Sequence, residues 1–125
     1  MTSRVTTKSR GDEGEERALR FLLKQGLTLV ERNYRVARGP HARGAEVDLI
    51  MRAPDGTLVF VEVRQRGSSD HGGAAASVTR GKQRRCILGA RHYLHSLAEW
   101  PPCRFDVVAI DGMELTWLEA AFDAG

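Results

Sequence analysis

One hairpin limits what this chain can fold into. Glu46-Val-Asp-Leu-Ile-Met-Arg52 and Leu58-Val-Phe-Val-Glu-Val-Arg64 are strand-length runs rich in β-branched and apolar residues, joined by Ala53-Pro54-Asp55-Gly56-Thr57. Pro-Asp-Gly predicts a type I turn closed by a left-handed glycine, the three-residue hairpin loop. If Ala53 pairs with Thr57, Asp48 lies opposite Glu62 and Glu46 opposite Arg64. Val47, Leu49, Met51, Val59, Val61 and Val63 then line one wholly apolar face. Asp48, Ile50, Phe60, Glu62 and Arg64 line the other, apolar near the turn and charged at the far end. A register one residue off would set Asp48 opposite Val63 and spoil that division.

Two carboxylates opposite each other on a sheet repel and cost stability. A proton, a basic neighbour or a bound cation offsets this. Hard divalent cations such as Mg²⁺ take oxygen ligands, often one or two carboxylates completed by water and substrate phosphate. Asp48 and Glu62 suit that set. The backbone carbonyl of Val63 can add an oxygen, and so can Glu15 if the first helix turns it toward the sheet. Such an ion would lower the pKa of a bound water and neutralise charge on a scissile phosphate. The alternative is that Asp48 and Glu62 simply pair with arginines at a sheet end.

The flanking segments predict the rest of the domain. A first helix is expected over about Gly11–Gln25, with Ser9 and Asp12 as an N-cap signature and Gly26 as the stop. Ala18 and Leu22 mark its inward face, and counting back by three puts Glu15 there too. A strand follows over Leu27–Tyr34, then a basic loop over Arg35–Arg43. The Gly/Ser-rich stretch 67–77 reads as a mobile loop, and residues 1–8 as a flexible tail. A second helix is expected from Thr79 to about Ala98, with Ile87, Ala90, Leu94 and Leu97 as its buried stripe. Strands at Cys103–Asp111 and Met113–Leu118 complete an α/β (α+β) domain over residues 1–125, a central mixed sheet flanked by helices.

Charge is distributed unevenly. Arg32–Arg104 carries thirteen basic and six acidic residues, whereas Phe105–Gly125 carries five acidic and none basic. Sixteen of the nineteen basic residues are arginine, whose planar fork matches phosphate oxygens two at a time. A basic middle points to a polyanionic partner, nucleic acid first, or else to a solvated surface. Arg80, Lys82, Arg84 and Arg85 crowd the first turns of the second helix, where cations oppose the macrodipole, and this favours contact with phosphate. No apolar run approaches membrane-spanning length and Met1–Arg10 lacks an apolar signal core, so no membrane partner is expected. Cys86 and Cys103 read as ordinary thiols of a cytoplasmic protein. His92 and His95 lack the second ligand pair of a zinc site.

Glu46-Val-Asp48-Leu-Ile followed by Phe60-Val-Glu62-Val-Arg64 resembles the Asp…Glu-x-Lys core of the PD-(D/E)xK nucleases. Further pieces resemble the YraN family of bacterial proteins: Gly11-x-x-Gly-Glu15-x-x-Ala18, Asn33-Tyr-Arg35, Gly44-Ala-Glu-Val-Asp-Leu-Ile50, Lys82 with Arg85, Ala90-x-x-Tyr93-Leu94 and Arg104-Phe-Asp-Val-Val108. The resemblance spans nearly the whole chain in order. It implies a restriction-endonuclease-like core, similar to archaeal Holliday-junction resolvases, and Mg²⁺-dependent hydrolysis of phosphodiester bonds in DNA, branched or damaged DNA included, with Mn²⁺ as a substitute ion. Glu15 matches the first-helix acid, Asp48 and Glu62 the metal-binding pair, and Glu46 an accessory acid. Asp106 falls in the Arg-Phe-Asp piece as a structural acid pairing with an arginine. A homodimer is left open, since resolvases need two active sites.

Arg64 stands where the nucleases carry lysine. Arginine stays protonated and cannot act as a base, but it can donate to a phosphate oxygen. Arg64 is therefore expected to keep an electrostatic role, with Arg66 assisting along the strand. A salt bridge from Arg64 to Glu46 is the structural alternative. The same departure leaves two other functions open: a nucleic-acid-binding module without hydrolysis, or an interaction protein on a nuclease fold.

Overall fold

The computed structural model describes residues 7–37, 44–66 and 73–124, with backbone alone for 7–12. Helix α1 (Thr7–Lys24) precedes strands β1 (Thr28–Val36), β2 (Ala45–Arg52) and β3 (Leu58–Arg66). A short α2 (Gly73–Ala76) and a longer α3 (Arg80–His95) lead to β4 (Cys103–Asp111) and β5 (Glu114–Phe122). The five strands form one sheet in sequence order. All neighbours are antiparallel except β3 and β4. A parallel pair needs a crossover, and α2 and α3 supply it. The result is the expected α+β domain, a mixed sheet flanked by helices and consistent with a restriction-endonuclease-like core.

Several boundaries differ from the sequence expectation. Residues 1–6 of the expected tail lie outside the described residues, but Thr7 and Lys8 already belong to α1, which takes Ser9 inside the helix rather than ahead of it. Residues 67–72 of the expected mobile loop also lie outside the described residues; 73–76 are helical. Thr79, expected as the first residue of the second helix, is the N-cap of α3, its Oγ1 accepting from the Lys82 N–H at 3.3 Å. The helix ends at His95, and Leu97 still packs into the core from the turn beyond it.

The hairpin forms in the predicted register. The Ala53 N–H donates to the Thr57 carbonyl and the Gly56 N–H to the Ala53 carbonyl, both at 2.9 Å, with Gly56 at φ 93°. Arg52 pairs with Leu58, Met51 with Val59, Ile50 with Phe60 and Leu49 with Val61. There the ladder stops. Asp48 and Glu62 do not pair across it, and neither do Glu46 and Arg64. Instead the Asp48 carboxylate accepts the Val63 N–H at 2.8 Å. The physical reason is the repulsion foreseen above: a buried carboxylate is better placed on an amide donor than against another carboxylate. Val47 consequently joins the α3 side of the core, with Ile50 and Phe60, rather than the α1 side with Leu49 and Met51. Across from the break, Asn33 of β1 sits at φ 53°, a conformation asparagine tolerates.

Both faces of the sheet are covered. Ala18, Leu19 and Leu22 of α1 pack on Leu49, Met51, Val59, Val61 and Ile110. Cys86, Ala90 and Leu94 of α3 pack on Val47, Ile50, Phe60 and Phe105. The helix comes so close to β2 that a Cβ on Gly89 would lie 3.0 Å from Val47 Cγ2 and 3.3 Å from the Glu46 backbone. Asp106, fully buried, accepts from Arg104 Nε at 3.1 Å, Trp117 Nε1 at 2.9 Å and the Ala120 N–H at 2.9 Å. It thereby ties β5 to β4 and carries that strand past Leu118 to Phe122. Among the described residues no helix is long and apolar enough to cross a membrane.

Candidate active site

Where β2 and β3 part, the first turns of α3 close over the gap. Glu46, Glu62, Arg64, Lys82 and Arg85 line the resulting cleft. Asp48 adjoins it through its bond to the Val63 N–H. Asp48 and Glu62 are 9% and 5% exposed. Burial pushes the Asp48 carboxyl up to about 6, against the pull of the Val63 N–H. Burial, and then the charge of Asp48, push Glu62 up to about 8, with Arg64 pulling the other way. Both carboxyls therefore hold their protons to higher pH than exposed ones do.

The cations divide by task. Arg64 Nη1 is 3.9 Å from Glu62 Oε1, too far for a close bidentate pair. Its Nε donates to Ser77 Oγ at 3.0 Å, and the Ser77 hydroxyl donates to the Ala74 carbonyl at 2.6 Å. The Ala74 N–H in turn donates to Asp111 Oδ1 at 2.7 Å. A chain of bonds thus runs from the end of β4 through α2 to the guanidinium. Arg85 donates from Nε to the Gly44 carbonyl at 3.0 Å and reaches Glu46 at 3.7 Å, while Arg35 reaches the same carboxylate at 3.4 Å. Glu46 therefore pairs with Arg35 and Arg85 and not with Arg64. Lys82 is held below its ordinary pKa by burial and by the charge of Arg64.

The cleft brings together Glu46, Glu62, Arg64, Lys82 and Arg85, with Asp48 and Val63 adjoining. Glu15 is not among its lining residues; its Oε1 lies 4.0 Å from Arg32 Nε. Arg66, Arg80 and Arg84 are exposed outside the cleft. Sequence reasoning missed Ser77, hidden in a run that read as a mobile loop, and Arg35, assigned to a loop but placed in β1. His92 and His95 are exposed, and the Tyr34 hydroxyl meets His92 Nδ1.

A divalent cation fits the pair. Among the described residues no carboxylate-bound cation stands within 4 Å of Asp48, and Glu62 has only the distant Arg64. Two buried carboxylates, both pushed up by burial and one of them by the charge of the other, are what a hard cation relieves, with water completing its shell. No group of three or more His, Cys, Asp or Glu residues is assembled to hold a metal among the described residues. The donors on hand are thus two carboxylates rather than three.

Comparison with known proteins follows the same residues. Residues 14–110 match the family described as Uncharacterised protein family UPF0102. The chain is 64% identical over 120 residues to a UPF0102 protein of Methylibium petroleiphilum, covering 96% of this chain and 98% of that one. It is 60% identical over 119 residues to a UPF0102 protein of Albidiferax ferrireducens, covering 95% and 91%. A UPF0102 protein of Cupriavidus taiwanensis is 58% identical over 123 residues, covering 98% and 89%. These names state a family and no activity.

Proposed function

The chain belongs to the UPF0102 (YraN) family, and from its cleft we propose that it is a metal-dependent nuclease hydrolysing phosphodiester bonds in DNA, branched or damaged DNA included. The observation that carries this reading is the buried Glu62, with buried Asp48 adjoining, in a cleft that is also lined by Arg64, Lys82 and Arg85. Asp48 and Glu62, with the Val63 carbonyl, would hold Mg²⁺ or Mn²⁺. When bound, the ion supplies Lewis acidity and lowers the pKa of a water near the scissile phosphate.

The chain's own groups do the rest. The Val63 N–H fixes the Asp48 carboxylate, so one ligand is oriented before any ion arrives. Ser77 holds Arg64 by Nε and leaves its terminal nitrogens for phosphate oxygens and the charge that develops on them. Arg64 cannot take a proton. Lys82 is the cleft cation that can exchange one, and burial and the charge of Arg64 hold its pKa below the ordinary lysine value. Arg85, held on Gly44 and Glu46, contributes positive charge at the mouth.

The test is cleavage of labelled single strands, duplexes, flaps and four-way junctions with Mg²⁺, Mn²⁺ or EDTA. Wild type should cut only with metal, and Asp48→Asn and Glu62→Gln should each abolish cutting while leaving DNA binding intact. Wild type that binds DNA and cuts nothing, with Arg64→Lys also silent, would make the protein a binding module instead.

A further inference from the structure

The outer face of α3 has features the cleft does not use. Arg80, Arg84, Arg91 and His95 recur at spacings of four, seven and four and are all exposed, so they form one stripe along the helix. The stripe covers about 22 Å at the α-helical rise. The helix sequence contains no acidic residue. Solvated helix faces normally interleave acids with bases, and cations in the first turns oppose the helix dipole. Among the described residues no carboxylate lies within 4 Å of Arg80, Arg84 or Arg91. Beyond the stripe stands Trp100, 58% exposed, with its ring 5.7 Å from that of His95 and at 81° to it. One end of the stripe adjoins Lys82 and Arg85 at the cleft; the other ends at this indole.

We propose that this face carries a single strand of nucleic acid away from the cleft, its phosphates on Arg80, Arg84 and Arg91 and a base stacked on Trp100. The inference rests on the nuclease reading for its starting point and specifies the substrate as DNA with a single-stranded flank. Charge complementarity names a polyanion. The indole selects a single strand, because the faces of duplex bases are already stacked and have none to offer a side chain.

Fluorescently labelled oligonucleotides, a single strand, a blunt duplex and a duplex with a single-stranded tail, would be titrated with the full chain in EDTA so that nothing is cut. Tailed and single-stranded DNA should bind more tightly than blunt duplex. Trp100→Ala should lose roughly tenfold in affinity for the tailed DNA and little for the blunt duplex, with Trp100→Phe retaining most of it. The double variant Arg84→Gln, Arg91→Gln should flatten the salt dependence of tail binding by about 1.4 in log–log slope, two phosphates' worth for a single strand. Equal binding of blunt and tailed DNA, or wild-type tail binding by Trp100→Ala, would overturn the proposal. A parallel Mg²⁺ cleavage assay separates the two failures. Wild type that prefers tails but cuts nothing sinks the nuclease and supports the track. Wild type that cuts, with both variants binding tails normally, sinks the track alone.

Discussion

Replacing Glu62 by glutamine should make the metal-free protein more stable and, on the proposed mechanism, inactive. Glu62 has an ordinary pKa of 4.5 that burial and Asp48 raise to about 8 in the folded protein. Between those values the folded state keeps a proton that the unfolded state has lost. Stability is therefore full below about pH 4.5 and drains away as pH rises through about 8. Each pH unit in that window removes ~1.4 kcal/mol, a ceiling of ~5 kcal/mol for an isolated group. Asp48 shares the titration and Arg64 offsets part of the charge, so ~2 kcal/mol by pH 8 is the working expectation. Glutamine carries no charge at any pH and fills nearly the same volume. Urea melts in EDTA should show Glu62→Gln close to wild type at pH 5 and ~2 kcal/mol more stable at pH 8. Adding Mg²⁺ at pH 8 should then stabilise wild type and not the variant, since an ion bound only to the folded state adds its binding free energy. An advantage that fails to grow with pH, or a variant less stable than wild type at pH 8, would refute the buried-pair account.

Four further outcomes follow from single contacts. Ser77→Ala removes the acceptor on Arg64 Nε and should slow cleavage about tenfold, one hydrogen bond to a charged group, with DNA affinity nearly unchanged in a filter-binding assay. Lys82→Arg keeps the positive charge but not the exchangeable proton, so DNA binding should survive while the single-turnover cleavage rate at neutral pH falls at least tenfold, on the order of a lost general acid–base catalyst. Gly89→Ala drives a methyl against Val47 and the Glu46 backbone and should cost about 1–3 kcal/mol in thermal or urea melts. Asp106→Ala leaves the Trp117 indole N–H and the Ala120 N–H without their acceptor and leaves Arg104 with Glu119 alone, and should cost ~3 kcal/mol, read from the same melts.

The fold was legible wherever local chemistry dictates geometry. Pro54-Asp55-Gly56 can close only a few kinds of turn, and the turn set four consecutive β2–β3 pairs correctly. Alternation and helical spacing placed α1, α3 and β4 for the same reason: their patterns are periods of the backbone itself. The site was legible as composition and not as geometry. Asp48, Glu62 and Arg64 were identified, but extending the ladder past Leu49 assumed that regular pairing continues through a charged end. It does not, because a side-chain carboxylate competes for the Val63 N–H and wins. The partners of Glu46 were missed for a related reason. Arg35 and Arg85 are remote in sequence, and no local rule says which arginine a carboxylate will find. Ser77 was invisible because its role is set by the short α2 turn, which Asp111 anchors from the far end of β4.

The substitution at position 64 reads differently once these partners are known. A lysine there would be a point charge on a flexible stem, free to approach either the ion or the water. The arginine is pinned by Nε to Ser77 and stands 3.9 Å from Glu62. Pinning suits a planar fork that must meet phosphate oxygens at a fixed angle, and it would serve a proton-transfer group poorly. On the proposed mechanism the proton-handling cation would instead be Lys82, carried on α3, which approaches β2 closely at Gly89. The two tasks that one lysine combines are then divided between a strand residue and a helix residue. On that division, Arg64→Lys alone should not raise the cleavage rate, whereas Arg64→Lys should partly restore a Lys82→Arg protein. Rescue in the double variant would locate proton transfer in the cleft as a whole; no rescue, with both single variants slow, would mean that Lys82 acts by positioning phosphate and that the proton leaves by another route.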